Sequence, residues 1–315
     1  MLTFLARRVL LLLATLLVAS FAIFVVLEVL PGDAALLMLG IEAQPDTLAA
    51  LRDQMGLDRP ALSRYLAWVG GLAAGETGVS YTYGVPVSQL ISERMSVTLP
   101  LALMALVLSV VIAIPIGMLA ATRRGTVRDY GVMGFSQIGM AVPNFWFAIL
   151  SILFFAVLLG WFPASGFPGW EAGVRKALWA LVLPAISLAL PEAAILARVT
   201  RTAVLDTLEA DYVRMARAKG LGPRRVLWSH VLRNALVPIT TIIGLQFAFL
   251  LAGSIVVEAV FALPGLGRLT FQAVSKRDLI VLRDVILLLV TLVVIVNFLV
   301  DIAYAVIDPR ARYAA

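Results

Sequence analysis

The sequence predicts an all-α integral membrane protein with six transmembrane helices, and three observations carry that prediction. The mean hydropathy is +0.99 with 14% of residues charged, more apolar surface than a water-soluble fold can hide. The apolar residues fall into blocks near the ~20 residues a helix needs to cross about 30 Å of hydrocarbon. No barrel-type alternation is present, and in hydrocarbon each backbone N–H and C=O must be satisfied within its own segment, so the blocks read as helices.

Six blocks follow in order: residues 9–30, 97–121, 132–159, 177–197, 235–261 and 285–307. The first, behind Arg7 and Arg8, exceeds the 7–15 residue core of a secretion signal and has no clear cleavage site, so it reads as a retained helix. Residues 31–96 form an external loop in which Leu48, Leu51 and Met55, then Leu62, Tyr65, Leu66 and Val69, recur at helical spacing and predict two short amphipathic helices. Pro115, Pro143, Pro184 and Pro191 lie inside or near the ends of later blocks. Each removes a backbone hydrogen bond, giving either kinked gating helices or the ordinary tolerance of membrane helices for proline. The segment 263–284, opening with Pro-Gly-Leu-Gly, reads as a second external element with a turn and a short helix.

With the N-terminus inside, inner segments hold 15 Lys or Arg and outer segments 10, four of them in the long loop, where charge counts for little. Both termini are therefore expected in the cytoplasm. Arg268, Lys276, Arg277 and Arg283 are the anomaly, since all fall outside. The chain divides into residues 1–30, tail and first helix; 31–96, external loop; 97–307, a five-helix core with a cytoplasmic loop at 198–235; and 308–315, a cytoplasmic tail.

Zero Cys and the single His230 leave no thiolate site, no histidine cluster and no support for a catalytic metal or a nucleophile with its base. The loop instead carries "DYVRMARAKGLGPRRVLWSHVLRNALVPI", residues 211–239, with six basic side chains. Facing the cytoplasm accounts for part of that charge. The order within it predicts more: helix-forming residues run to Lys219, Gly220 suits a left-handed C′ position, and Pro223 suits the first position of a second helix. Small Ala216, Ala218 and Gly220, rimmed by Arg214, Arg217, Lys219, Arg224 and Arg225, form a docking knob. Without aromatic stacking residues or a groove-reading module, its partner reads as a soluble protein, not nucleic acid.

"DYVRMARAKGL" at 211–221 and "LRNALVPI" at 232–239 resemble the cytoplasmic loop of bacterial ABC importer permeases, most closely the branch serving dipeptides, oligopeptides, nickel and glutathione. "LPGDAA" at 30–35, "GLDRPALSRYLAW" at 56–68, "GLQFAFLLAGSIVVEAVFALPGLGRL" at 244–269 and "DPRARY" at 308–313 are similar to further segments of that family, in the same order. Arg214, Met215 and Ala216 stand where the general motif has Glu-Ala-Ala, and Pro238 lies later than the general spacing; both departures fit the peptide branch. Ala34-Ala35 and the Gly-Glu-Thr-Gly at 75–78 are local departures on the outer face.

The resemblance implies a type I ABC importer transmembrane domain: two homologous permeases form the pore, two ATPases bind beneath, and an extracytoplasmic binding protein delivers solute. It implies that Asp211, Tyr212, Arg214, Ala216, Arg217, Ala218, Lys219, Gly220 and Leu221 couple to an ATPase. No G-x-x-x-x-G-K-[ST] occurs, and none of Lys176, Lys219 and Lys276 follows a Gly, so ATP and Mg belong on partner subunits and this chain binds no cofactor. The loop becomes a lever joined to helix four through Arg198–Leu205 and to helix five through Asn234–Pro238.

Among ionisable residues in spans, Glu28 and Glu258 read as reaching the headgroups, and Glu192 and Asp301 as pairing with Arg198 or Arg201. Asn144, Gln246 and Ser254 are candidates for the translocation path or, equally, for interhelical hydrogen bonding. An ion-coupled secondary transporter would need midplane ion ligands and inverted repeats that are not evident. The expected solute is a di- or oligopeptide, with nickel, glutathione or another small solute as the alternative.

Overall fold

The computed structural model describes residues 2–29, 36, 44–54 and 58–307. The motif segments 30–35 and 308–313, Gly56 and Leu57, Met55, and the side chains of Glu28 and Leu51 lie outside the described residues. Among the described residues the chain is helical almost throughout, with one isolated β-bridge between Val79 and Pro86.

Five continuous helices are long and apolar enough to cross a membrane: Leu5–Leu27 within Leu2–Val29, Val87–Thr122, Val174–Leu208, Pro223–Val260, and Leu279–Ile302 within Leu279–Ile307. They outrun the apolar blocks because polar turns prolong them. The second span starts at Val87 and runs 36 residues, about 54 Å at the α-helical rise.

The third block is the departure. It is Val127–Ala141 followed by Asn144–Leu158, bent by 100° at the break, so a sixth span exists only if the bent pair counts as one. The cause is local. Pro143 offers no N–H and excludes the residue before it from the α region, leaving Val142 at φ −88°, ψ 120° and Pro143 at φ −62°, ψ 138°. Pro115, Pro184, Pro191 and Pro238 instead sit within unbroken helices.

Contacts divide the chain into two units. The larger takes Thr98–Pro264 and the end of the last helix from Val296. Its centre is the fourth span, whose Leu181, Leu183, Leu188 and Leu196 are fully buried. Small residues permit the approach of its neighbours: a Cβ on Gly139 would lie 2.5 Å from that of Ala194, and one on Gly117 2.6 Å from the Ala197 carbonyl oxygen. A continuous apolar cluster joins Met118, Leu196, Val204, Val213, Val226, Val231 and Ile239.

The other unit takes Leu2–Val97 and Gly265–Ile295. Both amphipathic helices form, at Pro45–Gln54 and Ala61–Ala73. The second is turned from the expected face: Tyr65 and Trp68 are buried against Phe24, with Val69 and Leu72 beside them, while Leu62 and Leu66 are exposed. The helix is apolar on several sides, and the aromatic side chains, offering the larger contact area, take the inward positions. Ser20 Oγ and Tyr65 Oη are 2.9 Å apart, a hydrogen bond that keeps the buried phenol satisfied. The helix predicted within 263–284 appears as Leu266–Ser275, entered through Gly265 at φ −107°, ψ −178°.

The basic residues expected outside have local uses. The Arg283 guanidinium lies 4.4 Å from the Trp68 ring centroid, and its Nε lies 3.5 Å from Asp284 Oδ1. Trp68 Nε1 donates to the same oxygen at 2.7 Å. Lys276 Nζ sits 5.2 Å from the Tyr83 ring centroid. Asp278 Oδ2 accepts from Ser80 Oγ at 2.6 Å and the Thr82 N–H at 3.1 Å, binding the turn around Ser80 to the start of the last helix.

Candidate functional site: an exposed cationic helix and the polar groups of the bundle

Helix Val174–Leu208 ends at Glu209, and Ala210 at φ −69°, ψ 144° turns the chain into the short helix Asp211–Ala218. Asp211 lies in its first turn and Arg217 in its last, both matching the helix dipole. Gly220 has φ +79°. Its N–H donates to the Arg217 carbonyl at 2.9 Å, and the Leu221 N–H reaches the Ala216 carbonyl at 3.3 Å. That pair of bonds is a Schellman turn, with the apolar contact supplied by Leu221 packing onto the Val213 and Ala216 cluster. Pro223 then opens the next helix at its first position. The left-handed turn is thus what requires glycine, because a Cβ there would meet nothing within 4 Å.

The short helix has two faces. Val213 and Ala216 are buried in the bundle's own core. Ala216, read from sequence as part of an open small-residue face, is therefore the seat of the helix. Asp211, Tyr212, Arg214, Met215, Arg217, Ala218, Lys219 and Gly220 are exposed. Arg214 meets Asp211 at 3.4 Å with side chains 69% and 93% exposed, so its charge stays available in water. Met215, 60% exposed, adds an apolar side chain to the open face, a placement that becomes clear only once buried Val213 and Ala216 fix the helix rotation. Partial burial pushes the Tyr212 phenol up, a hydrogen bond with Thr207 opposing it, so it is neutral at physiological pH.

Of the three candidates for the translocation path, Gln246 takes the interhelical role. Gln246, 2% exposed, donates from Nε2 to the Glu192 backbone carbonyl at 2.7 Å. It joins the fifth span to the fourth. Ser254 Oγ bonds back to Leu251 O in its own helix at 2.8 Å. Asn144, half-buried, follows the break of the third span, its Nδ2 3.2 Å from where a Gly253 Cβ would be.

The expected pairing of Glu192 is corrected. Arg201 grips Asp129, which sequence reading had not singled out, and Glu192 Oε2 has no hydrogen-bond partner among the described residues. Asp301 is half-buried. Glu258 does not reach the headgroups: it is fully buried and accepts from Thr98 Oγ1 at 2.6 Å, because a partner 160 residues away is invisible to a local reading. Among the described residues no group of three or more His, Cys, Asp or Glu is placed to hold a metal.

Long apolar helices around a buried fourth span, with a compact cationic helix seated at its end, make a membrane-spanning helical bundle. The chain belongs to the family of binding-protein-dependent transport system inner membrane components, whose family model matches residues 113–313; a companion model for the N-terminal part of such components matches residues 1–102. A transport system permease protein of Brucella abortus (strain 2308) is 42% identical over 307 residues, 98% of each chain. The di/tripeptide transport system permease protein DppB of Pseudomonas aeruginosa is 39% identical over 334 aligned positions, 99% of each chain. The oligopeptide transport system permease protein AppB of Bacillus subtilis is 40% identical over 316, covering 99% of this chain and 100% of its own. In fold, the chain is similar to the MetNI methionine ABC transporter in its inward-facing conformation, with a TM-score of 0.59 at 22% identity over 70% of this chain and 97% of that one.

Proposed function

We propose that this chain is one of two homologous permease subunits of a type I ABC importer of the bacterial inner membrane, both termini cytoplasmic, carrying di- or oligopeptides. Two ATP-binding subunits hold ATP and Mg and perform hydrolysis, and an extracytoplasmic binding protein delivers the peptide. The helix Asp211–Ala218 with Lys219, Gly220 and Leu221 docks on an ATP-binding subunit.

The observation that carries the coupling half is the two-faced short helix. Val213 and Ala216 lock it into the core, while Arg214, Met215, Ala218 and Lys219 stand free of it. A segment rigidly held on one side and unoccupied on the other transmits a push without absorbing it. Support for peptides as solute comes from relatives named for peptide transport that match end to end at 39% and 40% identity. Mass spectrometry of the ligand co-purified with the partner binding protein tests the solute class: a peptide is expected, and a nickel complex or glutathione in its place overturns that part.

A further inference from the structure

The coupling helix is not the only attachment at the end of the fourth span. In the last two turns of Val174–Leu208, Arg201 closes on Asp129 of the helix Val127–Ala141, Nε to Oδ1 and Nη2 to Oδ2 at 2.8 Å. Asp129 is 3% exposed, and Oδ2 also accepts the Gly125 N–H at 3.0 Å. A guanidinium fork on both carboxylate oxygens fixes orientation as well as distance, which an ammonium cannot do. Ten residues along the same helix, about 15 Å at the α-helical rise, Gly139 presses on Ala194 so closely that an added Cβ would stand 2.5 Å from its methyl group. The helix is thus pinned to the fourth span near both of its ends. Immediately past the second pin the chain breaks by 100° at Val142 and Pro143.

We infer that the helix Val127–Ala141 and the fourth span move as one rigid body and that Asp129 is the positioning residue carrying force from the coupling helix into the third span. The inference rests on the coupling reading above. A second ion pair joins the same two regions, Arg124 to Glu209 at 3.2 Å, but its side chains are 66% and 70% exposed. Water and salt weaken such a pair, and it serves as the control.

The test uses the complete complex in proteoliposomes and reads solute imported per ATP hydrolysed. Asp129→Asn is expected to lower that ratio by about 5-fold or more, within the usual range of coupling between sites, while hydrolysis continues. Arg201→Lys, keeping the charge but not the fork, falls between Asp129→Asn and the parent, and the exchange of Asp129→Arg with Arg201→Asp regains part of the loss. Arg124→Gln leaves the ratio unchanged. Wild-type ratios in Asp129→Asn and Arg201→Lys overturn the inference. So does failure of both variants to assemble, which makes the pair a fold staple and nothing more. If instead the parent complex imports solute without hydrolysing ATP, the coupling reading fails first.

Discussion

The loop around residues 211–225 and the segment 263–284 carry similar cationic sequences, and they differ in how the fold uses Arg283; Lys276 and Arg277 are exposed like the basic residues of the loop. In the loop, Arg214, Arg217, Lys219, Arg224 and Arg225 are all exposed, and the one ion pair recorded there is the loose one from Arg214 to Asp211. In the outer segment Arg283 is folded away, its side chain 21% exposed, stacked on Trp68 and paired with Asp284. Lys276 lies over Tyr83. Charge that is consumed by its own fold holds the fold together; charge left in water is available to a partner. Counting Lys and Arg cannot separate the two, which is why the outer segment looked anomalous.

Substitutions sharpen that contrast. The largest effect is expected from Gly220→Trp. Its φ of +79° is unfavourable for most side chains, by about 1–2 kcal/mol, and an added Cβ there meets nothing within 4 Å, so the ring is added to the open side proposed above to dock. Import by an assembled complex should drop about 10-fold or more with hydrolysis retained; uptake at the parental rate breaks the contrast at the loop.

Next is Arg283→Ala, which strands the Asp284 carboxylate, 1% exposed, beside Trp68. Removing one partner of a buried pair costs about 3–5 kcal/mol, so the melting temperature of the purified complex should fall clearly, with import per ATP unchanged among molecules still folded. A smaller loss, about 1 kcal/mol, is expected for Val213→Ala, which removes buried methyl groups from the seat of the coupling helix, and is read in the same melting experiment. Arg214→Ala should shift stability by no more than about 0.5 kcal/mol. Its effect belongs in partner binding, as earlier loss of the ATP-binding subunits when salt is raised during purification.

The loop was legible in advance because its signals are local. Gly220 and Pro223 each dictate backbone geometry within a few residues, and the Schellman turn formed where the glycine stands. The spans were legible for the same reason, since hydropathy sums over neighbours. The break of the third span was not, because hydropathy is blind to direction and Pro143 is one proline among several, most of which their helices absorb. The pairs Asp129 with Arg201 and Thr98 with Glu258 join residues 72 and 160 positions apart. Nothing in either local sequence selects its partner. Even the rotation of the short helix, which hides Ala216 and presents Met215, depends on a core assembled from three other helices.

Because the chain has no cysteine, Ala218→Cys would place a single thiol on the exposed side of the short helix. Cross-linking that thiol within the assembled importer tests the central claim directly. An adduct with an ATP-binding subunit, formed at a rate that changes when ATP is added, is the predicted result. An adduct with the extracytoplasmic binding protein, or labelling by a membrane-impermeant maleimide from outside intact cells, would contradict it.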